Sequence, residues 1–186
     1  MSTLYPNPRE YIRILNYKSL IVLDDLIFSD LELAIIGYIN SSPRLTLEGG
    51  ISTPAVPYAA VHELIFEYLK FYNKQDEIKD IIEGNIAMLE RSASQRLSKG
   101  LRDRVEQLIG HFRELKHKDV NQINYSEFQP QSFAWNTMYE GNNPFRKYFQ
   151  KKIKDLLKLG ILFKRKEGLM WYLALNPHSD IKKRVT

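Results

Sequence analysis

The sequence contains no cysteine, so disulfide bonds, thiolate metal ligands and a cysteine nucleophile are excluded. It also lacks long apolar runs, because the most apolar stretches, Ser19–Phe28 and Leu31–Ile39, are each too short to span a membrane. Residues Met1–Arg13 show no basic segment followed by an apolar run and a small-residue cleavage site, the pattern of an export signal. We therefore expect a soluble, cytoplasmic protein without a membrane segment.

Sequence signatures of enzymes are scarce. The four histidines, His62, His111, His117 and His178, form no paired metal-ligand motif. Gly49-Gly50 is not followed by the Lys-Ser/Thr pair of a phosphate-binding loop, and no serine lies in a Gly-x-Ser-x-Gly setting. These absences argue against a metal site, a nucleotide hydrolase and a serine hydrolase, and we expect no cofactor.

One enzymatic interpretation stays open, a magnesium-dependent nuclease. A nuclease of the restriction type needs an aspartate followed later by Glu-x-Lys, so that two carboxylates hold Mg²⁺ and the lysine polarises the attacking water. Asp24 or Asp25 could combine with Glu77-Ile78-Lys79, and Glu114-Leu115-Lys116 is a second such triplet. Both triplets lie in predicted helices, where side chains at i and i+2 diverge, which favours a chance occurrence.

Charge is distributed unevenly along the 186 residues, whose net charge is +5. From Pro144 onward, 12 Lys or Arg stand against 3 Asp or Glu, a net charge of +9, whereas residues 1–143 carry 15 against 19, a net charge of −4. A field of one sign confined to one segment indicates binding to a polyanion, because each neutralised phosphate releases condensed counterions. A solubilising basic tail is the alternative interpretation.

The N-terminal part of the chain has the apolar spacing of helices. A hydrophobic fraction of 44% with 26% charged residues is typical of globular proteins. Two helices are predicted within Pro8–Ile39, the second with Ser29 or Asp30 as its N-cap. Prolines and glycines between Asn40 and Pro57 indicate a loop that could hold a small hairpin.

Three further helices are predicted before the basic segment. The first covers Tyr58–Tyr72, and the second covers about 76–90 and is expected to weaken at Gly84 or in the stretch Ser92-Ala93-Ser94. In the third, six apolar residues recur at the spacing of a helix that packs along another helix: Leu97, Leu101, Val105, Leu108, Phe112 and Leu115. The run is shorter than the heptad array of a coiled coil, which favours packing within the chain, and a homodimer through helices in 58–117 stays open.

The basic segment begins with a predicted amphipathic helix. Pro144 at its first position and Gly160 after its last position bound it at Pro144–Leu159. At about 100° per residue, apolar side chains cover one half of this helix, and four lysines cluster within about 60° on the other: Lys147, Lys151, Lys154 and Lys158. Lys152 falls inside the apolar arc, and we expect its stem to extend to the edge of the core.

A hairpin is predicted to follow this helix. Two β-prone runs flank the short turn Glu167-Gly168, and three basic residues near the turn could meet phosphates or enter a minor groove: Lys164, Arg165 and Lys166. A cluster of aromatic residues could indicate base stacking on single strands: Phe145, Tyr148, Phe149, Trp171 and Tyr172. Most of these rings fall on the predicted core face, which favours a packing role for them.

The order of amphipathic helix, Leu-Gly-Ile-Leu, basic strand, glycine turn and aromatic strand over residues 144–175 resembles the recognition helix and wing of winged-helix DNA-binding proteins. The resemblance implies that Ser132–Tyr139 is the preceding helix of a helix-turn-helix, that 141–143 form the turn, and that Leu97–His117 supplies the first helix. It also implies that the recognition helix enters the major groove with its N-terminal residues near base edges.

The same resemblance assigns roles to individual residues. Six would face the groove: Asn142, Asn143, Arg146, Lys147, Gln150 and Lys151. Lys154 and Lys158 would lie nearer the phosphates, and Lys164, Arg165 and Lys166 would belong to the wing.

These patterns predict a mainly α protein with a helical region over 1–95, for packing or dimerisation, and a winged-helix-like module over 96–186 with a β-hairpin wing. The expected function is binding of double-stranded DNA, sequence-specific or structural, as a transcriptional regulator. Two alternatives stay open: a winged-helix adaptor that binds only proteins, and the magnesium-dependent nuclease.

Overall fold

The computed structural model describes residues 5–15, 28–72, 74–130, 132–139 and 142–178. The chain is mainly α-helical with a C-terminal β-hairpin, as predicted, and this hairpin is part of a four-stranded antiparallel sheet that was not predicted. It forms two compact units, of which the first contains 1–68 with 150–186 and the second contains 69–149. The boundaries between these units lie after residues 68 and 149, whereas the sequence predicted a boundary at residue 95. The segment 96–186 therefore contains parts of both units, and its role as a functional module stays a prediction.

The elements follow one another in a simple order. The helices are α1 (Pro8–Ile14), α2 (Asp30–Asn40), α3 (Tyr58–Phe71), α4 (Gln75–Ala93), α5 (Lys99–His117), α6 (Tyr125–Phe128), α7 (Phe133–Met138) and α8 (Pro144–Lys158), with a 3-10 turn at Val120–Gln122. The strands are β1 (Arg44–Leu47), β2 (Ile51–Pro57), β3 (Leu162–Glu167) and β4 (Met170–Leu175). Within the described ranges, no helix is long and apolar enough to cross a membrane.

Helix α2 supplies much of the core of the first unit. Its N-cap is Ser29, one of the two predicted candidates: Ser29 Oγ accepts the Glu32 N–H at 3.2 Å, and Glu32 Oε1 accepts the Ser29 N–H at 3.1 Å. This reciprocal arrangement is a capping box, which satisfies donors that would otherwise lack partners at the helix start. Helix α2 packs on β2 and β4, and its side chains Ile35, Ile36 and Ile39 are fully buried.

The sheet has the strand order β1-β2-β4-β3, with every neighbouring pair antiparallel. Strand β2 was expected to be a loop holding at most a small hairpin, and it instead joins the β1–β2 hairpin to β4. Its prolines are tolerated because Pro54 is the last residue paired with β1 and Pro57 is the last residue paired with β4. Each proline therefore lies at the end of a ladder, where the missing N–H costs least.

The second unit is built around the pair α4 and α5, which pack along each other. The apolar seam predicted for α5 is buried at Val105, Leu108, Phe112 and Leu115, so α4 of the same chain is its partner. Three pairs of surface side chains connect this part of the unit: Arg113 with Glu90 at 2.8 Å, Lys116 with Glu83 at 3.4 Å, and Lys118 with Glu127 at 3.0 Å.

Helix α4 ends in one of the two places where the sequence predicted it to weaken, Ser92-Ala93-Ser94, and does not weaken at the other, Gly84. The helix continues through Gly84 to Ala93. A Cβ at this position would lie 3.1 Å from Cγ of Pro144, closer than most real contacts. Gly84 is therefore explained by the close approach of the first residue of α8, which the spacing of apolar residues could not show.

Candidate nucleic-acid interface

Helix α8 begins at a buried cap. Asn143 Oδ1 accepts the Arg146 N–H at 3.0 Å, and Asn143 Nδ2 donates to the Tyr139 carbonyl at 2.7 Å. Its side chain is 0% exposed, and Pro144 follows at the first helical position, as predicted. Asn143 was expected to face a DNA groove. In this conformation its amide is instead used as the N-cap of α8, so we leave it out of the proposed surface.

The two sides of α8 differ as the sequence predicted. Its apolar side is buried, with Phe145 and Phe149 each 1% exposed, Ile153 3% and Leu156 0%. All four lysines on the opposite side are exposed: Lys147, Lys151, Lys154 and Lys158. We call these four residues the lysine stripe. Lys152, which fell inside the apolar arc, is half-buried.

The chain itself offsets the charge of the lysine stripe only in part. Within the described ranges, none of its four ammonium groups forms an ion pair, since the pairs found there involve Arg113, Lys116 and Lys118. On a helix, carboxylates at i+3 or i+4 offset part of a basic face, because pairs of opposite charge at these spacings stabilise each other. The stripe has one such carboxylate, Asp155, which lies four residues after Lys151 and three before Lys158. Most of the charge of the stripe therefore remains available to an external anion.

Lys158 is the stripe residue least suited to bind an external anion. It lines a pocket of about 260 Å³ together with Phe28, Glu32, Asp155 and Leu159. The two carboxylates in this lining lower the local positive potential, because opposite charges at short range partly cancel. Lys147, Lys151 and Lys154 are therefore the stripe residues that we use in experiments.

Helix α8 ends where predicted, at a glycine in the left-handed conformation. Gly160 has φ +72°, the Ile161 N–H donates to the Leu156 carbonyl at 3.1 Å, and the Gly160 N–H donates to the Leu157 carbonyl at 3.1 Å. These two bonds form a Schellman motif, which satisfies the last carbonyls of the helix. The Asn176 side chain also donates to the Gly160 carbonyl at 2.8 Å, which ties the end of β4 to the same turn.

The predicted hairpin is present as β3 and β4. Six residue pairs connect the strands, from Leu162 with Leu175 to Glu167 with Met170. Gly168 begins the two-residue turn with φ +61°, the positive value that tight hairpin turns of types I′ and II′ require. We call this unit the wing hairpin, with the residues Leu162–Leu175.

The basic residues of the wing hairpin differ in exposure. Lys164 and Lys166 are exposed, whereas Arg165 is half-buried. Its guanidinium lies 5.7 Å from the centroid of the Phe163 ring, and within the described part of the chain its Nε is buried without a hydrogen-bond partner. Lys164 and Lys166 are therefore the wing cations best placed to meet phosphates, and Arg165 is held against the sheet.

The remaining predicted contact residues also differ in exposure. Asn142 and Gln150 are exposed, and Arg146 is half-buried. Asn142, Arg146 and Lys147 belong to the second compact unit, and the residues from Gln150 onward belong to the first.

The helix that was expected to precede the recognition helix is α7, capped by the Ser132 hydroxyl, which accepts the Trp135 N–H at 3.1 Å. Part of the expected turn, Gly141, lies outside the described residues.

The first Glu-x-Lys triplet has structural partners instead of a catalytic arrangement. Lys79 Nζ donates to three backbone carbonyls at the end of α5, those of Leu115 at 3.1 Å, Lys116 at 2.6 Å and Lys118 at 2.6 Å. Its ammonium therefore caps α5, and burial lowers its pKa from the ordinary lysine value. Glu77 accepts a hydrogen bond from the Tyr148 hydroxyl.

Neither triplet gains support as a nuclease centre. In the second, Lys116 pairs with Glu83 on the surface, and the exposed Glu114 lies in the same helix turn. The aspartates that would complete the first triplet, Asp24 and Asp25, lie outside the described residues. Among the residues that the structure does describe, no group of three or more carboxylates or histidines could hold a metal ion.

One feature of the wing hairpin was missed by sequence reasoning. Most rings of the aromatic cluster were expected on the core face, yet the turn residue Leu169 and the first two residues of β4 are exposed: Leu169 by 95%, Met170 by 49% and Trp171 by 42%. Their position directly after the turn glycine was a usable signal, because residues at a hairpin tip extend beyond the layer that covers the sheet.

Comparison of the chain with protein-family models, with curated proteins and with solved structures found no match. We therefore infer its function from its own charge, exposure and geometry.

Proposed function

We propose that this protein binds double-stranded DNA and acts as a transcriptional regulator, with α8 as the docking helix and the wing hairpin as a second contact. The observation that carries the proposal is the lysine stripe, a row of four exposed lysines that form no ion pair within the described ranges, on a helix whose other side is buried. Like charges at i+3 and i+4 on one helix face repel each other by about 0.2 to 0.5 kcal/mol per pair, and an external polyanion would replace this repulsion with attraction.

The dimensions of the lysine stripe fit a duplex. From Lys147 to Lys158 the helix rises about 16 Å. Phosphates of one DNA strand are about 3.4 Å apart along the duplex axis, so the stripe can follow about five of them. The major groove, about 12 Å wide, admits one α-helix, which explains why the cations lie on a single face. Lys164 and Lys166 on the wing hairpin add two exposed cations.

Charge reversal on the lysine stripe tests the proposal. The variant Lys147→Glu/Lys151→Glu/Lys154→Glu changes only exposed side chains. We expect it to lose binding to a duplex in a mobility-shift titration, because three attractive contacts become repulsive. Equal binding by the variant and the wild type would refute the assignment of α8 as the docking helix.

A matched variant controls for net charge. Lys74, Arg96 and Lys99 are also exposed and lie outside α8. Their replacement by glutamate lowers the net charge from +5 by the same six units. Lys74 and Lys99 are at the starts of α4 and α5, where negative charge is favourable, so this variant is expected to fold. It should bind DNA nearly as well as the wild type.

The same titration separates the other hypotheses. An adaptor that binds only proteins would shift no duplex at any salt concentration. A magnesium-dependent nuclease would degrade the duplex only when Mg²⁺ is supplied. The expected result is a shifted, intact duplex with and without Mg²⁺.

The oligomeric state and the location stay predictions. The α5 seam that motivated a homodimer is covered by α4 of the same chain. If a dimer forms, another surface of 58–117 must provide the interface, and light scattering of the free protein would show the mass. The cytoplasmic location expected from the sequence awaits a fractionation experiment.

A further inference from the structure

The tip of the wing hairpin carries a run of exposed apolar side chains. Leu169 is 95% exposed, and the next two residues, Met170 and Trp171, are 49% and 42% exposed. The other large hydrophobic residues exposed in the described part of the chain, Ile14, Phe71 and Leu159, do not adjoin one another in sequence. Single exposed residues are normal on a protein surface, whereas a contiguous apolar projection is a mark of binding.

Cations lie on the same face of the hairpin as Trp171. Lys166 is paired directly across the strands with Trp171, and Lys164 Nζ lies 5.7 Å from the centroid of the Trp171 ring. Paired residues of antiparallel strands point to the same side of the sheet, so both ammonium groups lie on the face of Trp171, whereas Met170 is paired with Glu167 on the opposite face. The occupant of this surface must therefore offer negative charge next to apolar area.

The tip is held in place before any partner arrives. All six pairs of the β3–β4 ladder are formed, and the turn contains only Gly168 and Leu169. Leu169 is consequently the outermost residue of a short, rigid ribbon. A projection that is already ordered loses little conformational entropy on insertion.

Duplex DNA meets these requirements, with phosphates on its outside and the faces of stacked bases inside. We propose that Leu169 and Met170 enter the minor groove and insert at a base step, while Lys164 and Lys166 contact the flanking phosphates. Apolar wedges of this kind unstack a step and kink the duplex. This inference rests on the proposed function and adds to it the DNA feature recognised: a step that opens at low cost, such as TA or a mismatch.

A fluorescent base tests the insertion. A duplex with 2-aminopurine at a central TA step is titrated with the wild-type protein, and its emission is expected to rise as the base unstacks. The variant Leu169→Ala/Met170→Ala should still bind the duplex within about threefold, because the cations are retained, but without the rise in emission. The variant Ile14→Ala, which truncates another exposed aliphatic side chain, should behave as the wild type.

A second measurement uses duplex preference. The wild type should bind a duplex with a central mismatch about tenfold more tightly than the matched duplex, since the mismatch has already lost stacking. The Leu169→Ala/Met170→Ala variant should lose this preference. Tryptophan emission gives a third readout: the only other tryptophan, Trp135, is 2% exposed, so quenching on binding reports Trp171.

Each outcome has one meaning. Binding to the duplex without a rise in 2-aminopurine emission overturns the wedge and leaves the proposed function intact. Absence of binding to any duplex overturns the proposed function itself. A blue shift of Trp171 emission with phosphatidylserine vesicles, but not with DNA, assigns the tip to a lipid surface and also overturns the wedge.

Discussion

Replacing Lys79 with methionine tests whether this lysine is a structural cap or a candidate for catalysis. The substitution keeps most of the aliphatic stem and removes the ammonium group. That group donates to the carbonyls of Leu115, Lys116 and Lys118 at the C-terminal end of α5. The last carbonyls of a helix have no i+4 donor within the helix. The Leu115 carbonyl keeps the Lys118 N–H as a donor at 3.1 Å, whereas the variant leaves the carbonyls of Lys116 and Lys118 to water.

The size of the effect can be worked from the geometry. Hydrogen bonds to charged groups contribute about 1.5 to 3 kcal/mol, and a cation in a partly buried position at a helix C-terminus contributes up to about 2 kcal/mol. The three bonds share one ammonium group, so their contributions are not additive. We expect Lys79→Met to lower the free energy of unfolding by about 2 kcal/mol, equivalent to about 4 to 8 °C in Tm for a chain of this size.

Urea denaturation followed by circular dichroism measures this loss. The control is Lys116→Met, which removes an ammonium group paired with Glu83 at 3.4 Å on the surface. Exposed pairs contribute at most about 1 kcal/mol, so the control should lose much less than Lys79→Met. Equal losses in the two variants would show that Lys79 does not cap α5, and would return its ammonium group to consideration for catalysis.

Two further predictions concern pH and backbone conformation. A hydrogen bond from the Asn124 backbone N–H and then Lys118 lower the pKa of Glu127. The stability that its carboxylate contributes is present above the ordinary glutamate pKa and is lost as the pH falls through the lowered pKa. Glu127→Gln should therefore flatten the loss of stability in acid titrations below about pH 5. Gly160→Ala should cost about 1 kcal/mol in urea denaturation, because φ is +72° and left-handed backbone disfavours a Cβ. Gly110→Ala, in the open interior of α5, should instead stabilise by about 0.5 to 1 kcal/mol; the opposite signs would contradict both arguments.

The helices could be predicted from sequence because their signals are local. Ser29 was one of two predicted N-caps, and the seam that includes Val105 and Phe112 follows from spacing alone. The pairing of β2 with β4 could not be predicted, since it joins residues more than one hundred positions apart and β2 contains Pro54 and Pro57. Whether two distant strands pair depends on the fold as a whole, so the low β-propensity of a segment is only weak evidence against its pairing.

The candidate interface was predictable in part. The exposed lysine stripe follows from helical periodicity, which fixes which side chains share a face. The burial of Asn143 was not foreseen, because a residue before a helix can either cap it or point to solvent, and only the surrounding structure decides. The exposure of Leu169 was also not predicted, because the apolar composition of its segment is typical of a core strand.

The most direct test of the central claim is the salt dependence of duplex binding. If the four stripe lysines and the two exposed wing lysines meet phosphates, the slope of log K against log salt concentration is about −5 in fluorescence-anisotropy titrations. Neutralising Lys147, Lys151 and Lys154 with alanine should flatten that slope by about 3. An unchanged slope in the alanine variant would contradict the claim that these ammonium groups contact the DNA backbone.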